Sequence, residues 1–95
     1  MDLNLSDLVA RKASTTDESG VPGELLVLDL DNGRYYTLGE TSGFIWSRLD
    51  GVSSLEEIAI EVVESFEVEL ETAEADLLGF AERMVELELA VRDPI

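Results

Sequence analysis

Residues 25–51, LLVLDLDNGRYYTLGETSGFIWSRLDG, leave little choice of local structure. A β-suited run, Glu24–Leu30, reaches Asp31-Asn32-Gly33, and a second β-suited run, Arg34–Leu38, follows. Such runs on either side of an Asn-Gly pair predict a hairpin, because Gly accepts the positive φ of a tight turn without steric cost. A short amphipathic helix, Glu40–Leu49, comes next; it carries the chain's one Trp, Trp46, and ends at Asp50-Gly51. A second strand with nothing on its far side presents a row of open N–H and C=O groups that an extended peptide can join. The hairpin therefore points toward a peptide-binding module and away from an enzyme.

Turn length sets the register. An Asn-Gly turn pairs Asp31 with Arg34 and puts Leu28 and Leu30 across from Thr37 and Tyr35. An Asp-Asn-Gly turn pairs Leu30 with Arg34 instead. Leu26, Leu28, Leu30, Tyr36 and Leu38 then share one face, and Leu25, Val27, Asp29, Tyr35 and Thr37 the other. A one-residue slip moves every side chain across the sheet, so the cleaner apolar face decides. The Asp-Asn-Gly turn is expected, with Tyr36 inside and Tyr35 outside.

The 95 residues, 45% of them hydrophobic, suit one domain spanning the chain, with a modest core over about Leu8 to Val91. No apolar run is long enough for a bilayer and no signal sequence opens the chain, so no membrane partner and a cytoplasmic location are expected. The absence of Cys excludes disulfides and thiolate chemistry, and the absence of His removes the commonest general base and metal ligand. The default is a protein without metal, cofactor or catalytic residues. Twenty-two acidic residues against six basic ones give a net charge of −16, which repels phosphate and argues against a nucleic-acid partner. Attraction to a basic partner is the functional reading. Solubility, or a saline cytoplasm, is the blander and preferred one, since most acids fall on solvated helix faces.

Around the hairpin, Asp7–Ala13 suits a first strand, and Ser14–Gly23 (STTDESGVPG) reads as a loop through Gly20, Pro22 and Gly23. One of two overlapping capping boxes, Ser53–Glu56 or Ser54–Glu57, opens a second helix with its apolar stripe at Leu55, Ile58, Ala59, Val62 and Phe66. A connector with a buried Val68 leads to a third helix, Glu71–Glu88, whose stripe is Ala73, Leu77, Phe80, Ala81, Met84 and Leu87. Leu89 and Val91 pack the exit, and Arg92–Ile95 is expected to fray. Three strands and then three helices give an α+β domain in which helices cover a small antiparallel sheet.

Several constellations resolve into ordinary structure. The acidic pairs Glu56/Glu57, Asp29/Asp31 and Glu82/Glu86 lie on a cap, a hairpin and a helix face, without a convergent ligand set. Ser53 and Ser54 at a helix start invite comparison with acidic carrier proteins, which hold a prosthetic group on such a Ser. A Ser stands where their Asp belongs, and capping is preferred. Tyr35, Tyr36 and Trp46 could stack bases, but no basic residues support that use; Tyr36 and Trp46 fit the core. A winged-helix DNA reader would need a basic recognition helix, and Glu71–Glu88 is acidic with one Arg. What remains is the Arg34–Leu38 edge beside the Leu78/Val85 flank of the third helix. That flank either walls a peptide groove or widens the core stripe.

The run Leu28–Leu38, then Ile45-Trp46, Leu49-Asp50-Gly51, Ser54–Ala59, Phe66-Glu67-Val68 and Asp76–Ala81, ending in Met84 and Leu89, resembles the PqqD family of RiPP recognition elements over nearly the whole chain. Many members have Asn where this chain has Gly39, lasso-type members often have Trp in place of Tyr36, and strong acidity is not a family hallmark. The resemblance implies a winged helix-turn-helix-like fold, a three-stranded antiparallel sheet followed by three α-helices. It implies binding of a ribosomal precursor's leader peptide, which adds to the third strand against the third helix. The partner would be a maturation enzyme, either a radical SAM enzyme or a leader peptidase and cyclase. On this chain the implied strand edge is Arg34, Tyr35, Tyr36, Thr37 and Leu38. Helix geometry puts the wall at Leu78, Ala81, Glu82 and Val85. An open edge can also pair with its own copy as a homodimer.

Overall fold

A computed structural model of the chain describes residues 3–12, 16–21 and 24–92. The hairpin is present as β3 (Glu24–Asp29) and β4 (Arg34–Leu38), and α1 (Glu40–Arg48) follows at once. The expected α+β arrangement, a three-stranded antiparallel sheet followed by three helices, is what the chain forms. The membership of that sheet differs from expectation. Its third strand is β2 (Thr16–Val21), within the segment read as a loop, and the sheet order is β2-β3-β4. TDESGV has little intrinsic strand preference; register-matched pairing with β3 from Thr16↔Asp29 to Val21↔Glu24 supplies the backbone partners instead.

The first strand, β1 (Leu8–Arg11), does not join the hairpin. It is the centre of a second sheet, β5-β1-β6, between β5 (Asp50–Ser54) and β6 (Ala90–Arg92). Its neighbours continue the pairing: the Arg11 N–H reaches the Leu49 carbonyl (3.0 Å) and the Lys12 N–H the Leu89 carbonyl (2.9 Å). Arg92, expected to fray, instead closes this sheet and meets the Asp7 carboxylate at 3.2 Å, with Asp7 only 8% exposed.

Hairpin register is the second correction. The pairs are Leu25↔Leu38, Val27↔Tyr36, Leu28↔Tyr35 and Asp29↔Arg34, with residues 30–33 in the turn. Leu25 and Val27, rather than Leu26, Leu28 and Leu30, share the inner face with Tyr36 and Leu38. The partition of faces matches the rejected Asn-Gly turn, slid by two residues. The turn chemistry explains it. Asp29 accepts hydrogen bonds from Asn32 Nδ2 (2.9 Å) and the Asn32 N–H (3.3 Å), and the Gly33 N–H bonds the Asp29 carbonyl (2.9 Å). A carboxylate satisfied this way tolerates the covered face, so apolar cleanness was the wrong criterion.

The core joins both sheets and all three helices. Val9, Val27, Trp46, Leu49, Leu55, Ile58, Leu77 and Leu89 are its largest fully buried side chains. Burying each Val or Leu contributes about 1.5–3 kcal/mol before entropy is counted. Helix α2 (Leu55–Phe66) starts with every nearby donor engaged. The Leu55 N–H meets the Asp7 carbonyl, the Glu56 N–H the Leu5 carbonyl, and Ser54 and Glu57 form the second of the two expected capping boxes (3.2 and 2.8 Å). Phe44 of α1 packs edge-on against Phe66 at 5.3 Å, and Arg48 lies 4.4 Å over the Phe44 ring while pairing with Glu61 at 3.3 Å. Helix α3 (Leu70–Glu86) ends on Glu88 at φ 60, where the Leu89 N–H bonds the Met84 carbonyl and the Glu88 N–H the Val85 carbonyl. That is a Schellman closure with Glu in the position Gly usually takes.

Candidate functional site

Strand β4 lies at the end of its sheet, with β3 on one side and no strand on the other among the described residues. Alternate N–H and C=O groups along Arg34–Leu38 therefore point away from the sheet. The side chains alternate as well: Arg34, Tyr35 and Thr37 are exposed, Tyr36 is half-buried and Leu38 is buried. The inward-facing pair fastens the strand to the core, which holds its edge in place without using its outer backbone groups.

Turn geometry fixes the far end of this edge. The Asn32 amide, and then the Asn32 and Asp31 N–H groups, hold the Asp29 carboxyl below its usual range; burial opposes this and Arg34 assists. Gly33 sits at φ 65 and returns the chain to β4. At the other end Gly39, in place of the Asn common in the resembled family, caps α1 without a side-chain hydrogen bond.

A cavity of about 500 Å³ opens between α3 and α1, the helix that follows β4. Thr41, Ser42 and Ile45 form its α1 side, Val68 one end, and Asp76 and Phe80 part of its α3 side. Val68 was expected to be buried; it stays 37% exposed because the chain turns at Glu67 (φ 53) and leaves it on the cavity rim. Gly79 also lines the space, and a Cβ added there would meet nothing within 4 Å. Sequence spacing missed this wall because Asp76 and Gly79 carry no apolar signature and Ala73 and Phe80 were read as part of the core stripe.

The helical residues proposed from spacing occupy a different flank of α3. Ala81 is fully buried, Leu78 and Val85 are half-buried against the core, and the Glu82 carboxylate accepts the Leu3 N–H at 3.1 Å. At 100° per residue Leu78, Glu82 and Val85 share one side of the helix, and Asp76, Gly79 and Phe80 lie round the other. None of the four proposed positions lines the cavity. Among the described residues, no helix is long and apolar enough to cross a membrane.

A strand edge open for addition, a cavity beside the helix that follows it and three covering helices define a small winged α+β domain. The family model described as coenzyme PQQ synthesis protein D (PqqD) matches residues 24–90, and the chain belongs to that family. Among solved structures it is similar to TbiB1 in complex with the TbiA(beta) leader peptide, at 26% identity and a TM-score of 0.76, covering 85% of this chain and 93% of that one. It also shares the fold of lasso peptide synthetase B1 complexed with the leader peptide, at 22% identity and a TM-score of 0.74, covering 90% of this chain and 98% of that one. No curated protein matches the chain.

Proposed function

We propose that this protein captures the leader peptide of a ribosomally made precursor by adding it as a strand to β4, and presents it to a maturation enzyme. The observation that carries this reading is the open Arg34–Leu38 edge; the cavity beside α1, the helix that follows β4, offers space for a side chain. Membership of the PqqD family, and the leader peptide held by the similar TbiB1, support it. The chain acts here as one cytoplasmic subunit without chemistry of its own. Its contribution is to raise the effective concentration of the precursor at a leader peptidase and cyclase, or at a radical SAM enzyme.

Backbone pairing along Arg34, Tyr35, Tyr36, Thr37 and Leu38 supplies affinity, and pockets for alternate side chains supply selectivity. Two helical walls are available, Leu78/Ala81/Glu82/Val85 and Asp76/Gly79/Phe80. The second is favoured because it lines the cavity beside α1, the helix that follows β4, while the Leu3 N–H already occupies Glu82.

The test titrates synthetic precursor leader peptides by fluorescence anisotropy. N-methylation at successive leader positions should weaken binding at every second residue, the signature of a one-sided ladder. Gly79→Leu should fill the cavity, add about 0.8–1 kcal/mol of helix propensity and still weaken binding about tenfold, ~1.4 kcal/mol. Leu78→Glu or Val85→Glu should change affinity less. Absence of binding by every such leader would falsify the proposal.

A further inference from the structure

The cavity between α1 and α3 has a floor and a mouth of different chemistry. Ile45 and Val62 are buried and Phe80 is half-buried, so the floor is apolar; Val68, Asp76 and Gly79 are exposed at the opening. Gly79 stands inside α3, where only Pro is a poorer helix former, yet a Cβ in its place would meet nothing within 4 Å. The protein's own packing does not require a Gly there. An occupant passing close over the helix backbone does. Asp76 lies three residues before Gly79, so the two share that side of α3. On the opposite wall Thr41 is three residues past Leu38, at most about 11 Å from it, so extended peptide running on from β4 can reach the cavity.

Charge selects the side chain that enters. Among the described residues no cation pairs with Asp76: Arg48 meets Glu61 and Arg92 meets Asp7. The segment from Glu67 to Asp76, EVELETAEAD, brings five acids and no Lys or Arg to the start of α3. An apolar side chain would fill the floor but take the Asp76 carboxylate out of water without a partner. An acidic one would set like charges together. A Lys or Arg meets both demands, since its methylenes cover apolar surface while its head stays at the mouth.

We propose that the cavity reads a basic residue of the leader peptide, a Lys or Arg whose stem crosses Gly79 against Val68 and Phe80 and whose head pairs with Asp76. This deepens the leader-binding reading and rests on it. The tightest-binding of the synthetic leaders is remade with Lys, norleucine or Glu at each position in turn and titrated by fluorescence anisotropy. Norleucine keeps the stem and removes the charge. At one position Lys should bind about fivefold more tightly than norleucine, the upper range for a solvent-accessible ion pair, and Glu should bind more weakly than either. Asp76→Asn should bind the Lys and norleucine peptides equally, and Asp76→Lys should prefer Glu at that position. Glu86→Gln removes the same charge ten residues along α3, about 15 Å away and beyond the Debye length at 0.1 M salt, and should keep the preference for Lys.

Three results overturn the proposal: no position prefers Lys to norleucine, the preference survives Asp76→Asn, or Glu86→Gln erases it as fully as Asp76→Asn does. In each of these the leader still binds, so the leader-binding reading stands without the cation. Failure of every leader to bind removes both.

Discussion

At position 29 a carboxylate points to the covered face of a strand, 4% exposed, and spends its lone pairs on Asn32. Asp50 makes a similar local arrangement, accepting the Ser53 and Val52 N–H groups at 2.9 Å each, and those bonds hold its carboxyl below the usual range. Both groups therefore bind protons more weakly folded than unfolded. Their stabilisation is fully present above the unfolded value of 3.8 and is lost as pH falls through the lower folded values. Urea midpoints should drop on acidification below pH about 4, and Asp29→Asn/Asp50→Asn should flatten that drop. Gly33 is the other residue the turn depends on. A Cβ there meets nothing within 4 Å, so the cost of Gly33→Ala is the left-handed backbone alone, about 1–2 kcal/mol in thermal unfolding. These residues show where the sequence could be read. Tyr36 inward and Tyr35 outward were legible from alternation. The leucines opposite them were not, because the count of turn residues depended on a side-chain cap that no hydrophobic pattern records.

Helices were the legible elements: α1, α2 and α3 fall within a few residues of the stripes that predicted them. Their ends carry testable energy. Ser54→Ala removes the cap that accepts the Glu57 N–H and should cost about 1 kcal/mol by chemical denaturation. Glu67 (φ 53) and Glu88 (φ 60) both close helices in the left-handed region. Glu88→Gly should raise stability by about 1 kcal/mol without altering leader affinity, since only the backbone penalty of a side-chain-bearing residue is relieved. Strands β2, β5 and β6 were less legible. They are short, and β2 contains Asp17, Glu18, Ser19 and Gly20, so partners rather than propensity decide them. The strand half of the candidate site followed from strand order. The helical half depended on which side of α3 the Leu3 segment covers, and no periodicity contains that information.

At the scale of the whole molecule, the family match begins at residue 24, yet β1 is the middle strand of the second sheet. A fragment beginning at Glu24 would lose Val9, fully buried, together with the carbonyls of Leu5 and Asp7 that receive the first donors of α2. Such a fragment should lack a cooperative thermal transition in calorimetry, whereas the full chain should show one. Asp7→Ala leaves the Asn4 N–H and Arg92 without their carboxylate and should destabilise the full chain by about 1–3 kcal/mol. The same pairing sets an order of events during synthesis. Asp7 and Arg92 are 85 residues apart, so β1 leaves the ribosome long before its β6 partner exists. The hairpin closes from neighbouring residues and can form early, while the second sheet waits for the last strand to clear the exit tunnel. The β4 edge is thus one of the first surfaces a nascent chain can build, and β1 stays open on one flank until β6 has emerged.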